Sequence, residues 1–201
     1  MDFQTVRQAL EKKRYTVSCF QTGQEAADYL CREIRGTTVG LGGSMTLQAL
    51  QLRQRLEAEN EVADHSRPKP GQTEEEARRQ AAAAEIYLTS VNGLAESGEL
   101  VNIDGYGNRV GSTLYGHRKV YFVVGINKLE STLEKAVWRA RNVAGPKNAQ
   151  RLNRKTPCAL RADRCYDCDS PERICNGLVI LYRKMNSCDM EVVLVEEELG
   201  Y

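Results

Sequence analysis

Histidine, rings and net charge are what this sequence has least of, and each shortage removes a class of function. The two histidines, His65 and His117, lie in different loops with no serine or cysteine of nucleophile-elbow type beside them. That argues against a Ser-His-Asp hydrolase. The nine tyrosines are scattered and provide no stacking platform for single-stranded nucleic acid. Lys and Arg number 28 against 27 Asp and Glu, so the formal net charge is +1 and there is no electrostatic case for nucleic acid or an anionic membrane. No apolar run is long enough to span a bilayer. The start, Met1-Asp2-Phe3-Gln4, reads directly into an amphipathic helix and not into a signal peptide, so the expected location is cytoplasmic. In that reducing compartment the seven cysteines, an odd number, do not read as a disulfide framework.

The 201 residues suffice for one domain with a full core, and no interdomain linker or internal repeat is visible. Hydrophobic periodicity predicts a helix over residues 2–14, a strand over 15–20, a helix over 23–34 and a short strand over 37–41. Ser44 opens a helix to about Glu57, followed by a strand near 61–65. Pro68 and Pro70 mark a loop, and Thr73 with Glu76 has capping-box spacing for the next helix. Ile86 to Thr89 reads as a strand, and 100–103 with 109–114 as the arms of a hairpin. Lys119 to Val124 is apolar enough for a buried central strand. Ser131 with Glu134 predicts a capped helix that buries Leu133, Val137 and Trp138 and ends at Gly145-Pro146. Residues 156–177 form a Cys-rich loop, and 178–182 and 191–195 are closing strands. The alternation predicts an α/β fold with a mostly parallel sheet, helices on both faces and one antiparallel excursion near 92–115.

Three polar or Gly-rich loops follow apolar runs and converge on one pocket in such a fold. Asn102-Ile103-Asp104-Gly105-Tyr106-Gly107-Asn108-Arg109 is richer in acid, amide, guanidinium and glycine than a turn requires. Gly40-Leu41-Gly42-Gly43-Ser44 joins a strand to a helix, where backbone N–H groups and a helix N-terminus receive a phosphate or carboxylate. It lacks the lysine of a P-loop and the spacing of a dinucleotide fingerprint. Gly125-Ile126-Asn127-Lys128 ends the central strand, and Lys128 there can pair with an anion or polarise a carbonyl. The expected site is therefore a small anionic metabolite held by Gly40, Gly42, Gly43, Ser44, Gly107, Asn108, Arg109 and Asn127, with Asp104, Glu99 and Lys128 as the reactive groups. His65, beside Asp64, can line the same pocket but as a lone histidine reads as structural.

Cys158, Cys165, Cys168 and Cys175 are spaced C-x6-C-x2-C-x6-C. Four thiolates satisfy a zinc ion or a four-iron four-sulfur cluster, and these outer spacings match neither a common zinc finger nor the usual ferredoxin run. Cys19, Cys31 and Cys188 read as isolated thiols.

In order and together these segments resemble the lactate-utilisation (LUD) domain family. The resemblance rests on Gly42-Gly43-Ser44-Met45-Thr46, on Gly98 to Asp104 with Gly107 to Val110, and on Gly125 to Lys128. It continues through Pro146 to Ala149 into the tail from Pro157 to Asn176, and so covers nearly the whole chain. It implies a parallel-sheet α/β domain akin to the ribose-phosphate isomerase, sugar-phosphate deaminase and CoA-transferase superfamily and to formyltetrahydrofolate cyclo-ligases. It also implies a link to oxidation of lactate to pyruvate alongside iron–sulfur partner subunits, with a 2-hydroxy or 2-oxo carboxylate as ligand. Two alternatives stand beside it: a non-catalytic accessory or electron-transfer protein built on the cysteines, and a sugar-phosphate isomerase using Asp104, Glu99 and Lys128. Whether the pocket is catalytic is left open by the sequence.

Overall fold

A computed structural model describes residues 3–201. Its centre is a six-stranded, wholly parallel sheet in the order β1 (Thr16–Phe20), β10 (Asp189–Val195), β7 (Lys119–Gly125), β4 (Ile86–Thr89), β2 (Thr38–Leu41), β3 (Glu61–Asp64). β7 lies between β10 and β4 and is buried on both faces, as its apolar run requires. Tyr121 and Val123 face one core with Leu30, Leu47, Leu52 and Leu56, carried by α2 (Gly23–Glu33), α3 (Met45–Ala49) and α4 (Leu52–Leu56). Val120, Phe122 and Val124 face the other, against α1 (Phe3–Lys12) and Leu94, Leu100 and Leu181.

Those last three leucines belong to a second sheet, ordered β8 (Leu129–Glu130), β5 (Gly93–Ala95), β6 (Leu100–Asp104), β9 (Gly177–Leu181). It covers the middle of one face of the parallel sheet, and α5 (Glu74–Ala82) packs beside it on β2 and β3. The outer side of the second sheet, with Val101 and Ile103, is closed by Ala136 and Ala140. The antiparallel excursion is therefore a full layer, formed by three segments distant in sequence.

Most expected elements are present, and the differences have identifiable causes. The first helix begins at Phe3, and residue 2 of the expected span lies outside the described residues. The single helix expected from Ser44 is two short ones, broken at Gln51, whose φ of +52° is left-handed. Residues 109–114 are not a strand. Asn108–Ser112 is helix α6, because the Asp104 carboxylate accepts the Arg109 and Val110 N–H groups at 3.0 Å and so caps it. The strand partners of β6 are β5 and β9 instead. Thr132, and not Ser131, caps α7 (Leu133–Arg139). That helix does not stop at Gly145-Pro146. It widens into a π turn over Ala140–Ala144 and continues as α8 (Gly145–Arg151), which accommodates a proline with no N–H to donate. Trp138 lies on its outer side, 60% exposed. The Cys-rich segment contains a one-turn helix, α9 (Pro157–Arg161).

Candidate functional site

The carboxyl ends of β7, β4, β2 and β3 stand side by side, so the residues that follow them meet at one edge of the sheet. These are Lys128, Ser90, the Gly42–Ser44 turn and His65. Ligands bind at such edges in open α/β sheets because the strand-to-helix loops leave a crevice there. Lys128 ends a 3₁₀ turn, Ile126–Lys128, and is only 3% exposed. Its Nζ donates to Thr46 Oγ1 at 2.8 Å and to Ser90 Oγ at 3.0 Å. Thr46 is itself oriented by donating to the Leu199 carbonyl at 3.0 Å.

Among the described residues, no carboxylate offsets the burial of Lys128. Desolvation, and after it the charges of Arg139 and Arg109, push its pKa down to about 7. Arg139 is fixed behind it, donating to the Asn127 carbonyl at 2.9 Å and the Asn92 carbonyl at 2.6 Å. A neutral lysine amine has two N–H bonds and one lone pair. With both N–H groups engaged by Thr46 and Ser90, the lone pair is free for the recess that Lys128 lines.

That recess, about 40 Å³, also borders on Ser44, Arg109, Asn148 and Arg151. That volume is enough for one carbonyl or carboxylate group. Arg109, Ser44, Asn148 and Arg151 also line a larger cleft of about 390 Å³, with His65, Arg78, Asp104 and Asn108. The outer space is sufficient for the rest of a small molecule. Arg109 donates from Nη2 to the Ile103 carbonyl, which holds its guanidinium at the boundary between the two spaces. Arg151 is oriented by Asn148 and by the Tyr201 hydroxyl, each accepting from its Nε at 3.1 and 3.0 Å. A chain of nearly balanced charge thus gathers three cations, Lys128, Arg109 and Arg151, around one recess.

The predicted residues divide clearly. Lys128, Arg109, Asn108, Gly43 and Ser44 line the recess or the cleft, and Asp104 borders the cleft. Asp104, however, is committed to the Arg109 and Val110 N–H groups and builds the loop. Glu99 lies at the opposite end of β6, about 16 Å away along the strand, where it pairs with Lys13 at 2.8 Å and accepts from Ser97. Gly40 faces α5, and a Cβ there would run into the Ala81 carbonyl. The Gly42 N–H donates to the Leu88 carbonyl at 2.9 Å and is not available to an anion. A Cβ on Gly42 would meet Tyr87 Oη at 2.8 Å, Thr89 Oγ1 at 2.9 Å and the Arg109 stem at 3.1 Å, so its role is close approach. Ser44 caps α3 through Leu47 N at 3.4 Å, but five residues make a weak dipole. Gly107 begins α6 in the left-handed region at φ +86°. Asn127 holds the closing segment, accepting from Leu199 N at 3.1 Å and donating to the Gly200 carbonyl at 3.2 Å.

Sequence reasoning missed Ser90, Asn148 and Arg151, and it underrated His65. His65 lies against Gly43, with a buried Nδ1 that has no partner among the described residues, and desolvation lowers its pKa. Its position right after β3, at the same sheet edge as the other loops, was the available signal.

The four cysteines of the tail border one small cavity, next to the recess and sharing Ile103, Ile174 and Gly145 with it. Among the described residues, no three His, Cys, Asp or Glu side chains are grouped so as to hold a metal ion, and no helix is long and apolar enough to cross a membrane.

Comparison with known proteins adds three findings. The family model described as LUD domain matches residues 3–195. No curated protein matches. A crystal structure of a DUF162 family protein from Deinococcus radiodurans, DUF162 being the former name of the same family, superposes with a TM-score of 0.55 at 12% identity, over 96% of this chain and 95% of that one. At that identity the likeness is one of fold.

Proposed function

The chain belongs to the LUD domain family, a lactate-utilisation-like protein on that ground, and from that premise we propose that it binds a small 2-hydroxy or 2-oxo carboxylate at Lys128. The observation that carries the reading is a buried lysine with no carboxylate partner among the described residues, next to Arg109 and open to a recess the size of one functional group. An anion is the missing counter-charge. Its carboxylate pairs with Arg109, whose remaining N–H groups have no acceptor among the described residues. Its 2-oxygen lies at Lys128, which donates to it when protonated. Gly43 and Ser44 line the same recess, and their N–H groups, also without protein acceptors among the described residues, take part in the proposed contact.

Asp104 and Glu99 are both engaged elsewhere, so a proton that moves in this site moves at Lys128 Nζ, whose pKa near neutrality suits exchange at physiological pH. With Glu99 paired to Lys13 at the far end of β6, a sugar-phosphate isomerase is left without its second acid. A link to lactate oxidation requires an acceptor for two electrons, and iron–sulfur partner subunits are the class proposed for it.

Titration calorimetry of the full chain with pyruvate, lactate, ribose 5-phosphate and inorganic phosphate tests the reading. Pyruvate or lactate is expected to bind, and Arg109→Ala and Lys128→Ala each to weaken binding by roughly 10–100-fold, the value of a lost charge-assisted hydrogen bond. Binding unchanged in the double variant, or binding of the sugar phosphate alone, overturns it.

A further inference from the structure

Among the cations of the site, Lys128 is the one that can exist without its charge. Arg109, Arg139 and Arg151 keep their protons, and a role in binding alone would be served by one more guanidinium. The surroundings of Lys128 are those that free an amine. It is 3% exposed, and among the described residues it meets hydroxyls and no carboxylate. Thr46 Oγ1 and Ser90 Oγ, at 2.8 and 3.0 Å, take up its N–H groups and anchor the nitrogen at the wall of the recess. Desolvation, with the charges of Arg139 and Arg109, holds its pKa at about 7, so ammonium and amine are both present near neutrality. Desolvation beside other cationic groups is what turns a lysine into a nucleophile.

We propose that Lys128 is such a nucleophile, and that its Nζ condenses with the 2-carbonyl of a bound 2-oxo carboxylate to form a Schiff base. This step rests on the binding of such a carboxylate in the recess, as proposed above. It also separates 2-oxo from 2-hydroxy acids, since the latter have no carbonyl to attack.

The ligand meets the ammonium first, with its carboxylate on Arg109. Nζ then gives up one proton, and its lone pair forms a bond to C2 while the carbonyl π electrons move to oxygen. A second proton passes from nitrogen to that oxygen, which gives a carbinolamine. The first proton returns to the same oxygen, the C–O bond breaks, and water leaves as the nitrogen lone pair closes the C=N bond. Overall an ammonium and a ketone become an iminium and water, with no oxidant and no net proton. Ser90 is placed to carry the second proton. Its Oγ accepts from Nζ, and Ser90 lines the recess. With no acceptor for its own hydrogen among the described residues, it can take the N–H proton and hand its own to the oxygen. The Thr46 hydroxyl is not free for this, because it donates to the Leu199 carbonyl at 3.0 Å.

The test is treatment of the full chain and pyruvate with cyanoborohydride, which reduces an iminium to a stable secondary amine. Intact mass and peptide mapping read the product, and calorimetry on the same protein reads pyruvate binding. The native chain is expected to gain the mass of pyruvic acid less one oxygen atom, about once per chain and at Lys128. Lactate is expected to add nothing. Lys128→Met, close in size and checked for folding by circular dichroism, is expected to lose the adduct. Ser90→Ala is expected to slow adduct formation at saturating pyruvate by roughly 100-fold, and an unslowed variant overturns the proton relay. Pyruvate that binds but leaves no adduct at Lys128 of the native chain overturns the Schiff base and leaves the binding reading intact. Pyruvate that does not bind overturns both. An adduct confined to other lysines, at the same level in Lys128→Met, overturns the Schiff base as well.

Discussion

Lys128 is held by two hydroxyls and approached by two arginines, and its titration sets the pH behaviour of the site. Its folded pKa, about 7, is below the ordinary value of 10.5. Below about 7 both folded and unfolded chains carry the proton, and the burial cost is fully present. Between that value and the ordinary lysine value the unfolded chain keeps a proton that the folded chain has released, so stability rises with pH across the window. Ligand binding has the opposite slope, because an anion requires the ammonium. Carboxylate affinity is expected to fall above about pH 7, by up to about tenfold per unit. Calorimetry in buffers of differing ionisation enthalpy should show proton uptake on binding near neutral pH. An affinity flat from pH 6 to 9, with no uptake, would show that Lys128 does not meet the ligand. Lys128 and Arg109 were readable beforehand because a cation just past a strand or loop end has few places to go. The true positions of Glu99 and Asn127 were not. A strand's direction decides which end of β6 reaches the pocket, and a loop amide can face a ligand or a neighbouring backbone with the same sequence.

Elements carry these side chains through a few close approaches, and two glycines separate stability from binding. Gly93 on β5 lies under α7, and a Cβ there would come within 2.5 Å of the Ala136 carbonyl, a backbone atom that cannot swing aside. Gly93→Ala is expected to cost about 1–3 kcal/mol and to lower the melting temperature by roughly 2–12 °C. An unchanged melting curve would mean that helix and strand are free to separate. Gly42 differs, because what its Cβ would meet includes the Arg109 stem. Gly42→Ala is expected to move that guanidinium and to reduce carboxylate affinity by roughly tenfold or more, measurable by calorimetry well below the melting point. Elements with one dominant period, such as α2, α5 and β7, were legible in the sequence, as were the Thr73–Glu76 cap and the parallel sheet. Three features were not. Residues 109–114 carry enough β-branched and apolar character to pass for a strand, and only the cap from Asp104 makes them helical. The π turn conceals a continuing helix behind Gly145-Pro146. β5, β6, β8 and β9 are short, and their pairing depends on contacts between segments more than 45 residues apart in places, as between β6 and β9.

At the scale of the molecule, the recess is where separate layers meet. Lys128 and Ser90 come from the parallel sheet, Arg109 from the loop after β6 in the second sheet, and Asn148 with Arg151 from α8 outside it. At the edge of the recess the Tyr201 hydroxyl, donating to Asn148 Oδ1 at 2.8 Å and accepting from Arg151 Nε at 3.0 Å, ties the closing segment to α8, whereas an anion bound in the recess would touch all three layers. Binding is therefore expected to act on global stability. At a ligand concentration 100 times the dissociation constant the folded state gains about 2.7 kcal/mol, which for a chain of this size raises the melting temperature by roughly 5–11 °C. The cationic character of the site adds a second mark. Arg109 and Arg151 face solvent through the open cleft, so added salt should reduce the shift. Thermal melts with pyruvate or lactate at low and high ionic strength, in the native chain and in Lys128→Ala, measure both effects. A shift that survives Lys128→Ala would place the ligand elsewhere on the molecule. A shift confined to the native chain and reduced by salt would mean that the closure of three layers, and not any one of them, is what the ligand completes.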